Sequence, residues 1–346
     1  MNAKYHKHIL EFKRPSGTSR GVLKTKETWF IVIKDGEKTG IGECGILRGL
    51  SIDDRPDYEA KLQWTCKHIH WGVTRLWEAL KEYPSIQFGV EIAFKSLESI
   101  DPFVLFPSSF TRGQTSIPIN GLIWMGDKEF MKSQIQEKLK VGFNCIKMKI
   151  GAIDFETELE LLASIRSDFS KDVIELRVDA NGAFSPEEAL QKLERLSDFD
   201  LHSIEQPIAA QQQEVMKTLC KTTPLPIALD EELIGVFELS AKQKLLETIR
   251  PQYIILKPSL IGGFKGTQQW ITIAESLGIQ WWMTSALESN VGLNAIAQFT
   301  NILGTKLPQG LGTGSLYTNN LEAPLVVKQG RLRYDPTLGW DVPFIN

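Results

Sequence analysis

Five charged residues recur along this chain at nearly equal steps, and each ends a short apolar run typical of a buried strand. In chain order they are Lys149, Asp179, Glu205, Asp230 and Lys257, separated by 30, 26, 25 and 27 residues. A step of roughly 25–30 residues accommodates one strand, one helix and two loops. Because the carboxyl ends of parallel barrel strands lie together, the spacing predicts that three carboxylates and two amines meet at one end of the fold.

The alternation of strand and helix patterns begins near residue 116 and continues through most of the chain. We expect strands near residues 116–124, 144–149, 174–179, 202–206, 226–230, 253–257, 279–285 and 308–312. Eight strand–helix units in about 200 residues favour an α/β fold, a (β/α)8-type barrel over residues 115–320. An open doubly wound sheet is the alternative, because it is built from the same alternation.

The first 105 residues follow a different pattern. Two strands are predicted at 22–33 and 38–44, followed by helices at 57–71 and 84–99. A strand meander followed by helices is typical of an α+β unit, so residues 1–105 are predicted to form a separate domain. Prolines and a Ser-Ser pair predict a linker up to residue 114. The tail, 321–346, is expected to return to this domain and complete it.

Composition and charge exclude several classes of protein. The 42% hydrophobic and 23% charged content is that of an ordinary globular protein, and the net charge of −3 predicts no attraction to nucleic acid or anionic membranes. No apolar stretch approaches the roughly 18 residues that span a bilayer. The polar, basic start is unlike a secretory signal, and the four cysteines form no Cys-x-x-Cys pair. We therefore expect a cytoplasmic protein; its oligomeric state stays open.

Two lysines end the second predicted barrel strand. Lys147 and Lys149 are two residues apart, so their side chains share one face of the strand. A surface strand could carry such a pair without any function. Here the surrounding pattern buries both faces of the strand, and buried charges need partners or a chemical role. A lysine in such surroundings can act as a base.

Acidic residues end the next three strands. Asp179 begins an Asp-x-Asn motif with Asn181, Glu205 begins Glu-Gln-Pro, and Asp230 is followed by Glu231. Each alone could be a turn or a helix cap. Together in a crevice they would repel one another, and a divalent cation removes that cost. An all-oxygen ligand set favours Mg²⁺, with Mn²⁺ as the alternative, over zinc.

The ordered set Lys-x-Lys, Asp-x-Asn, Glu-Gln-Pro, Asp-Glu and Lys-Pro resembles the enolase superfamily, in its muconate-lactonizing subgroup. The resemblance covers essentially the whole chain. It implies that the α+β domain caps the barrel and that a metal binds through Asp179, Glu205 and Asp230. It also implies that Lys149 and Lys257 are catalytic and flank the substrate, with supporting roles for Lys147, Asn181 and Glu231. Members of this superfamily combine a lysine or histidine base with Mg²⁺.

The late segments, 284–293 and 309–314, together with 117–124, are similar to o-succinylbenzoate synthases. That family dehydrates 2-succinyl-6-hydroxy-2,4-cyclohexadiene-1-carboxylate to o-succinylbenzoate in menaquinone biosynthesis, through a metal-stabilised enediolate. The resemblance thus implies a metal-dependent carbon–oxygen lyase with a small carboxylate substrate. Lys149 would remove the proton α to the carboxylate and then protonate the departing hydroxyl on the same face. Lys257 would remain cationic.

Substrate contacts are expected from the late strands and from the capping loops. The predicted residues are Ser285, Ser289, Gly312, Thr313 and Arg20, with Arg48 a further candidate. Glycines in 310–314 lack the full dinucleotide-binding spacing, and their backbone N–H groups suit an anion.

Alternatives remain open within and beyond the superfamily. A racemase or epimerase acting on N-acylamino acids or dipeptides, or a muconate-type cycloisomerase, would use the same lysines and carboxylates. Dipeptide epimerases carry Asp-x-Asp where this chain has glycine and threonine, which argues against an amino-acyl substrate. A further hypothesis is a non-catalytic barrel that serves as a binding or scaffold protein.

Overall fold

A computed structural model describes residues 1–18 and 21–344 of the chain. Arg20, predicted to contact substrate, lies outside the described residues. Within those ranges the molecule has an antiparallel N-terminal sheet covered by helices, a barrel of parallel strands, and a small sheet formed with the tail. No helix in the described ranges is long and apolar enough to cross a membrane.

The N-terminal sheet consists of β1 (Asn2–Thr18), β2 (Gly21–Asp35) and β3 (Lys38–Gly45), antiparallel and in that order. Helices α1 (Tyr58–Lys67), α2 (Gly72–Ala79) and α3 (Pro84–Glu98) follow. The predicted helix at 57–71 is shorter, because a 3-10 turn, Ile69–Trp71, replaces its end. Strand β1 was not predicted, although alternate residues from His6 to Phe12 are the less exposed ones, the period of a half-buried strand.

Both faces of β2 are buried, which explains its continuous apolar run. Trp29, Ile31 and Ile33 pack against the N-terminal helices. Phe30 and Val32 point the other way and contact Leu321 and Val342 of the tail, together with Val291 at the start of a barrel helix. The tail therefore packs on the N-terminal sheet, and this contact joins the two parts of the molecule.

The barrel follows β4 (Ser116–Pro118), a short strand that pairs with the tail. Its parallel strands, hydrogen-bonded in chain order, are β5 (Gly121–Ile123), β6 (Cys145–Lys149), β7 (Glu175–Asp179), β8 (Ser203–Glu205), β9 (Ile227–Leu229), β10 (Tyr253–Leu256) and β11 (Gln280–Met283). In the tail, β12 (Leu325–Lys328) and β13 (Arg331–Tyr334) form the small sheet in the order β12-β13-β4.

The segment at 308–312 takes the eighth barrel position through isolated bridges rather than a full strand. Gln309 pairs with Ile119, and Gly310 pairs with Thr284, both in parallel. The N–H of Gly310 donates to the carbonyl of Met283 at 2.8 Å. This closure excludes the open doubly wound sheet, and the fold is a (β/α)8-type barrel with an α+β N-terminal domain, as predicted.

The barrel helices connect successive strands on the outside. They are α4 (Lys128–Lys140), α5 (Phe155–Asp168), α6 (Pro186–Ser197), α7 (Gln213–Thr222), α8 (Leu239–Ile249), α9 (Pro258–Ile261), α10 (Gly263–Ser276) and α11 (Asn290–Leu303). Helix α6 begins with a capping box between Ser185 and Glu188, and Pro186 occupies its first turn. Because a helix returns the chain after each strand, all the strands run in the same direction. Their carboxyl ends, and the charged residues at those ends, therefore lie on one side of the barrel.

Candidate active site

A cavity of about 410 Å³ lies at the carboxyl ends of the barrel strands, beneath the N-terminal domain. Most of the predicted site residues line it: Lys147, Lys149, Asn181, Glu231, Lys257, Ser285, Gly312 and Thr313. The N-terminal domain contributes residues 13–16 and Leu23 of the β1–β2 hairpin, and Leu47 and Leu50 of the loop after β3. The cavity therefore lies between the two domains, the usual place for a small-molecule site.

Sheet register aligns the first charged residues. Lys149 on β6 pairs with Asp179 on β7, and Asp179 pairs with Glu205 on β8. Strand β10, which ends just before Lys257, is four positions from β6 in the strand order of a barrel with eight positions. Lys149 and Lys257 therefore extend from opposite walls into the same cavity.

The carboxylates lie beneath the lysines rather than in the cavity wall. Asp179, Glu205 and Asp230 are almost entirely buried. The Lys147 ammonium bridges two of them, donating to Asp179 Oδ2 at 2.9 Å and to Glu205 Oε2 at 2.6 Å. Lys257 donates to Asp230 Oδ2 and lies 3.8 Å from Glu205 Oε1. One connected network of charges thus joins the lysines and the acids.

Burial and neighbouring charges shift the pKa values of these lysines and carboxylates. Burial acts to lower the pKa of Lys147, but the carboxylates of Asp179 and Glu205 outweigh it and raise that pKa. The same balance, with Asp230 as the main partner, raises the pKa of Lys257. Burial would raise the pKa of Asp179, but the neighbouring lysines hold it below its usual range. Burial and the adjacent Asp179 charge raise the pKa of Glu205.

The donor set fits a divalent cation. Glu205 Oε1 is buried and accepts no hydrogen bond within the described residues, and the neighbouring acids offer only oxygen donors. Across 1–18 and 21–344, no three His, Cys, Asp or Glu side chains are arranged as a metal site, and ammonium groups lie against oxygens of Asp179, Glu205 and Asp230. A hard cation is the partner that buried carboxylates of this kind favour.

Asn181 links Lys149 to the next acidic group, Glu231. Its Oδ1 accepts from the Lys149 ammonium at 2.6 Å, and its Nδ2 donates to Glu231 Oε1 at 3.1 Å. Its φ of +45° is a left-handed conformation that asparagine tolerates better than most residues. Lys149 also donates to Asp179 Oδ2 at 2.9 Å. The Asp-x-Asn motif therefore orients the Lys149 amine from two sides.

Gln206 has a role that the sequence analysis missed. It follows Glu205 with φ +39° and is fully buried. Its Oε1 accepts from the N–H of Asp230 at 3.2 Å, and its Nε2 donates to Glu232 Oε2 at 3.3 Å. Gln206 thus fixes the end of β8 against the end of β9. The Glu-Gln-Pro motif was the available signal, but only its glutamate was assigned a role.

The seventh and eighth positions contribute a polar wall. Thr313 Oγ1 donates to Ser285 Oγ at 2.9 Å, and both residues line the cavity beside Gly312. Ser289 does not lie in this wall. It is fully buried, and its N–H and hydroxyl both donate to Glu43. Its Oγ also accepts from the Val291 N–H, so Ser289 caps helix α11. A direct Ser289–substrate contact is inconsistent with that position.

On the side of the N-terminal domain, the residues that line the cavity differ from those predicted to contact substrate. Arg48 lines the cavity, but its guanidinium donates to Glu27 at 2.8 Å and to Asp54 at 2.5 Å, so its hydrogen bonds go to its own domain. The hairpin residues 13–16 were not predicted to line the site. Gly17 bridges to Met125 beyond β5, and a Cβ there would lie 2.5 Å from the Met125 carbonyl oxygen, so only glycine allows the hairpin this close.

Comparisons with known proteins agree with this architecture. Residues 131–342 match the family model "Enolase C-terminal domain-like", and residues 3–97 match "MenC, N-terminal domain". The chain is 47% identical to an o-succinylbenzoate synthase of Desulfotalea psychrophila, over 96% of this chain and 98% of that protein.

A solved structure and a second relative extend the comparison. The crystal structure of MenC from Desulfotalea psychrophila has a TM-score of 0.86 and 42% identity, covering 96% of this chain and 99% of that one. An L-Ala-D/L-Glu epimerase of Bacillus subtilis is 29% identical, over 49% of this chain and 46% of its own length. This chain therefore belongs to the enolase superfamily, in its muconate-lactonizing subgroup, and within it to the o-succinylbenzoate synthases.

Proposed function

We propose that this protein dehydrates 2-succinyl-6-hydroxy-2,4-cyclohexadiene-1-carboxylate to o-succinylbenzoate. The observation that carries the proposal is the cavity with Lys149 and Lys257 on opposite walls above three buried carboxylates. Identity of 47% along nearly the whole length of an o-succinylbenzoate synthase supports this substrate over others of the superfamily.

The proposed roles of the lysines follow from their contacts. Lys149 is the proposed general base, because its amine reaches the cavity and is oriented by Asn181 and Asp179. It takes the proton from the carbon α to the substrate carboxylate and returns it to the departing hydroxyl, which leaves as water. The electron pair of the broken C–H bond ends in the new ring double bond, which makes the product aromatic.

Lys257 is the proposed fixed cation on the other face. The raised pKa of its side chain keeps it protonated beside Asp230, so it stabilises negative charge on the substrate during proton removal. Lys147 donates to two carboxylates, and their charges likewise raise its pKa. We assign it to holding Asp179 and Glu205 in place.

Asp179, Glu205 and Asp230 are the residues proposed to hold a divalent cation, Mg²⁺ or alternatively Mn²⁺. When bound, it supplies Lewis-acid stabilisation of the charge that develops on the substrate carboxylate. Menaquinone biosynthesis in the cytoplasm is the proposed setting of the reaction.

The main rival is epimerisation or racemisation of an amino-acid derivative, which needs the same pair of lysines. The cavity wall at the eighth barrel position argues against it, because Gly312 and Thr313 supply no carboxylate to bind an ammonium group. A muconate-type cycloisomerase remains the other rival within the subgroup.

An assay with the cyclohexadiene substrate and Mg²⁺ distinguishes these functions. We expect the substrate absorbance to fall while o-succinylbenzoate appears in equal amount. The matched assay offers N-succinylamino acids, dipeptides and muconate to the same preparation. Turnover of one of those without dehydration of the cyclohexadiene would replace the proposed function by the corresponding rival.

A further inference from the structure

A second group of buried charges lies outside the cavity, where the N-terminal sheet meets the barrel. It consists of Lys26 on β2, Glu43 on β3 and Glu288 between β11 and α11, with exposures of 5%, 0% and 1%. Within the described residues, the Lys26 ammonium makes no hydrogen bond. Burial lowers the pKa of Lys26, and the facing charges of Glu43 and Glu288 oppose that shift. A buried lysine with no hydrogen bond is costly unless its charge compensates others.

Two glycines bring these side chains together. A Cβ on Gly45 would lie 2.6 Å from Lys26 Nζ, so the ammonium rests against the Gly45 backbone. A Cβ on Gly292 would lie 2.9 Å from Glu43 Oε2 and 2.7 Å from the Glu288 Cβ. The Glu43 carboxylate and the Glu288 side chain therefore pack around Gly292, and Lys26 faces the charges of both.

Glu43 fixes the barrel loop from the side of the N-terminal domain. Its Oε1 accepts from the Ser289 N–H at 2.8 Å, and its Oε2 accepts from the Ser289 hydroxyl at 2.5 Å and the Gly292 N–H at 2.8 Å. Thr28 on β2 donates to Glu43 Oε1 as well, at 2.8 Å. One carboxylate thus holds the first turn of α11 against the sheet.

Glu288 reaches the cavity wall through one serine. It accepts from Ser259 and from Ser285, both at 2.5 Å. Ser285 has only one hydroxyl proton and donates it to Glu288, while its oxygen accepts from Thr313. The hydroxyl directions in this part of the cavity wall therefore depend on the charge of Glu288, because a carboxylate only accepts hydrogen bonds.

The loop between these contacts is strained. Leu287 lines the cavity with φ +63°, a conformation that bulky residues rarely adopt. Its N–H donates to Ser285 Oγ at 3.0 Å, and its carbonyl accepts from the buried Tyr317 hydroxyl at 2.7 Å. Strained residues persist only where their surroundings hold them in several ways.

We propose that Lys26 is a positioning residue for the active site: its charge balances Glu43 and Glu288, and so fixes residues 284–292 and the Ser285–Thr313 wall that faces the substrate. Without a cation, two adjacent buried carboxylates would not both stay ionised, and their hydrogen bonds to Ser285 and Ser289 would rearrange. The identity of the substrate rests on the proposed function; the positioning role does not.

The test compares Lys26→Met with Lys26→Met/Glu288→Gln and with Lys242→Met. Lys242 is also a fully buried lysine, but it donates to Gln269 and the Gly266 carbonyl, so it controls for loss of a buried ammonium. Lys26→Met is expected to raise KM about tenfold with kcat changed less than about threefold, the size of effect typical of coupled neighbours. The double variant should recover most of the loss, and Lys242→Met should leave KM unchanged.

Hydrogen exchange of residues 284–292 gives the readout that needs no substrate. Lys26→Met should speed exchange of these amides, and the double variant should restore their protection. Unchanged exchange and KM in Lys26→Met, or no recovery in the double variant, would overturn the proposal. Failure of wild-type protein to dehydrate the cyclohexadiene would overturn only the proposed function, since the exchange result stands alone.

Glu288→Gln alone keeps the proposal testable if Lys26→Met does not fold. It leaves one lysine facing one carboxylate, so exchange of residues 284–292 should keep its wild-type protection. Its amide presents a donor to one of the two serines, so KM should rise, but by no more than about threefold and less than in Lys26→Met. A rise in KM or in the exchange rate as large as that expected for Lys26→Met would contradict the proposal. It would show that the hydrogen bonds of Glu288, rather than the charge of Lys26, fix the wall.

Discussion

Two buried charge clusters adjoin the cavity, and they differ in which groups donate hydrogen bonds to their carboxylates. In the first, ammonium groups of lysines that line the cavity donate to Asp179, Glu205 and Asp230, and within the described residues Glu205 keeps one oxygen without a hydrogen bond. In the second, Glu43 and Glu288 accept hydrogen bonds from hydroxyls and backbone N–H groups.

That difference suits the first cluster to binding a cation or substrate and the second to holding the cavity wall in place. Carboxylates held by ammonium groups at a cavity can exchange those partners for a cation or a substrate. Carboxylates whose acceptors are satisfied by the fold cannot exchange partners without unfolding part of it. We therefore expect changes in the first cluster to affect turnover, and changes in the second to affect stability and the geometry of the wall.

Removing the divalent cation should have the largest effect. EDTA is expected to abolish dehydration, and Mg²⁺ should restore it. Mg²⁺ should also raise the Tm of wild-type protein, because a ligand that binds only the folded state stabilises it. Glu205→Gln should lose this rise and Glu43→Gln should keep it; a Tm rise of the same size in both variants would contradict the assignment of the first cluster.

Lys149→Ala should lower the rate of dehydration at least ~10² to 10⁴-fold, the usual contribution of a general base. Its Tm should stay close to that of wild-type protein, because Lys147 still bridges Asp179 and Glu205. Lys171→Ala, at an exposed ion pair with Asp200, is the control and should change neither quantity. A variant that retained the wild-type rate would exclude Lys149 as the base.

Glu43→Ala should have its main effect on stability. It leaves the buried N–H groups of Ser289 and Gly292 without acceptors and Lys26 with one fewer counter-charge. We expect the free energy of unfolding to fall by about 3 kcal/mol or more, measured by denaturant titration. Glu160→Gln, in an exposed pair with Lys128, should cost less than about 1 kcal/mol. Equal losses in both variants would remove the distinction between buried and exposed acids.

The sequence predicted the first cluster because its members recur with the strand–helix repeat. Lys149 and Lys257 sit on the same kind of strand end, so spacing alone brings them to one cavity. It could not predict the second cluster, because Lys26, Glu43 and Glu288 come from three unrelated elements and meet only through tertiary packing. The prediction that Ser289 contacts substrate failed for the same reason. No feature of the neighbouring sequence indicates that its hydroxyl donates to Glu43 of the N-terminal domain.

Strand β1 was missed for a different reason. Its less exposed positions include two histidines, and an apolar residue, Ile9, lies on its exposed face between Lys7 and Glu11, which blurs the alternation. The eighth barrel position is the opposite case, since the predicted strand at 308–312 exists only as bridges around Gln309 and Gly310. Gly310 lies against Thr284, where a Cβ would be 2.6 Å from the hydroxyl oxygen, so this close contact replaces a longer ladder.

A buried acid without a lysine in contact, Glu158, should show its effect only as a pH dependence of stability. Glu158 on α5 accepts from the Gly151 N–H at 2.6 Å, just beyond Lys149, and burial raises its pKa from 4.5 to about 7. The folded state then binds more protons than the unfolded state between those values, so stability falls as pH rises from 4.5 to about 7 and is level above. Glu158→Gln should therefore flatten the curve of Tm against pH between these values. If the slope is unchanged, the pH dependence comes from other titrating groups.

The most direct test of the central claim is a crystal structure with Mn²⁺ and o-succinylbenzoate bound. We expect anomalous density for one Mn²⁺ about 2.1 Å from oxygens of Asp179, Glu205 and Asp230, the distance typical of small hard cations. The product ring should lie between the Lys149 and Lys257 amines. Metal bound elsewhere, or both amines on one face of the ring, would contradict the account.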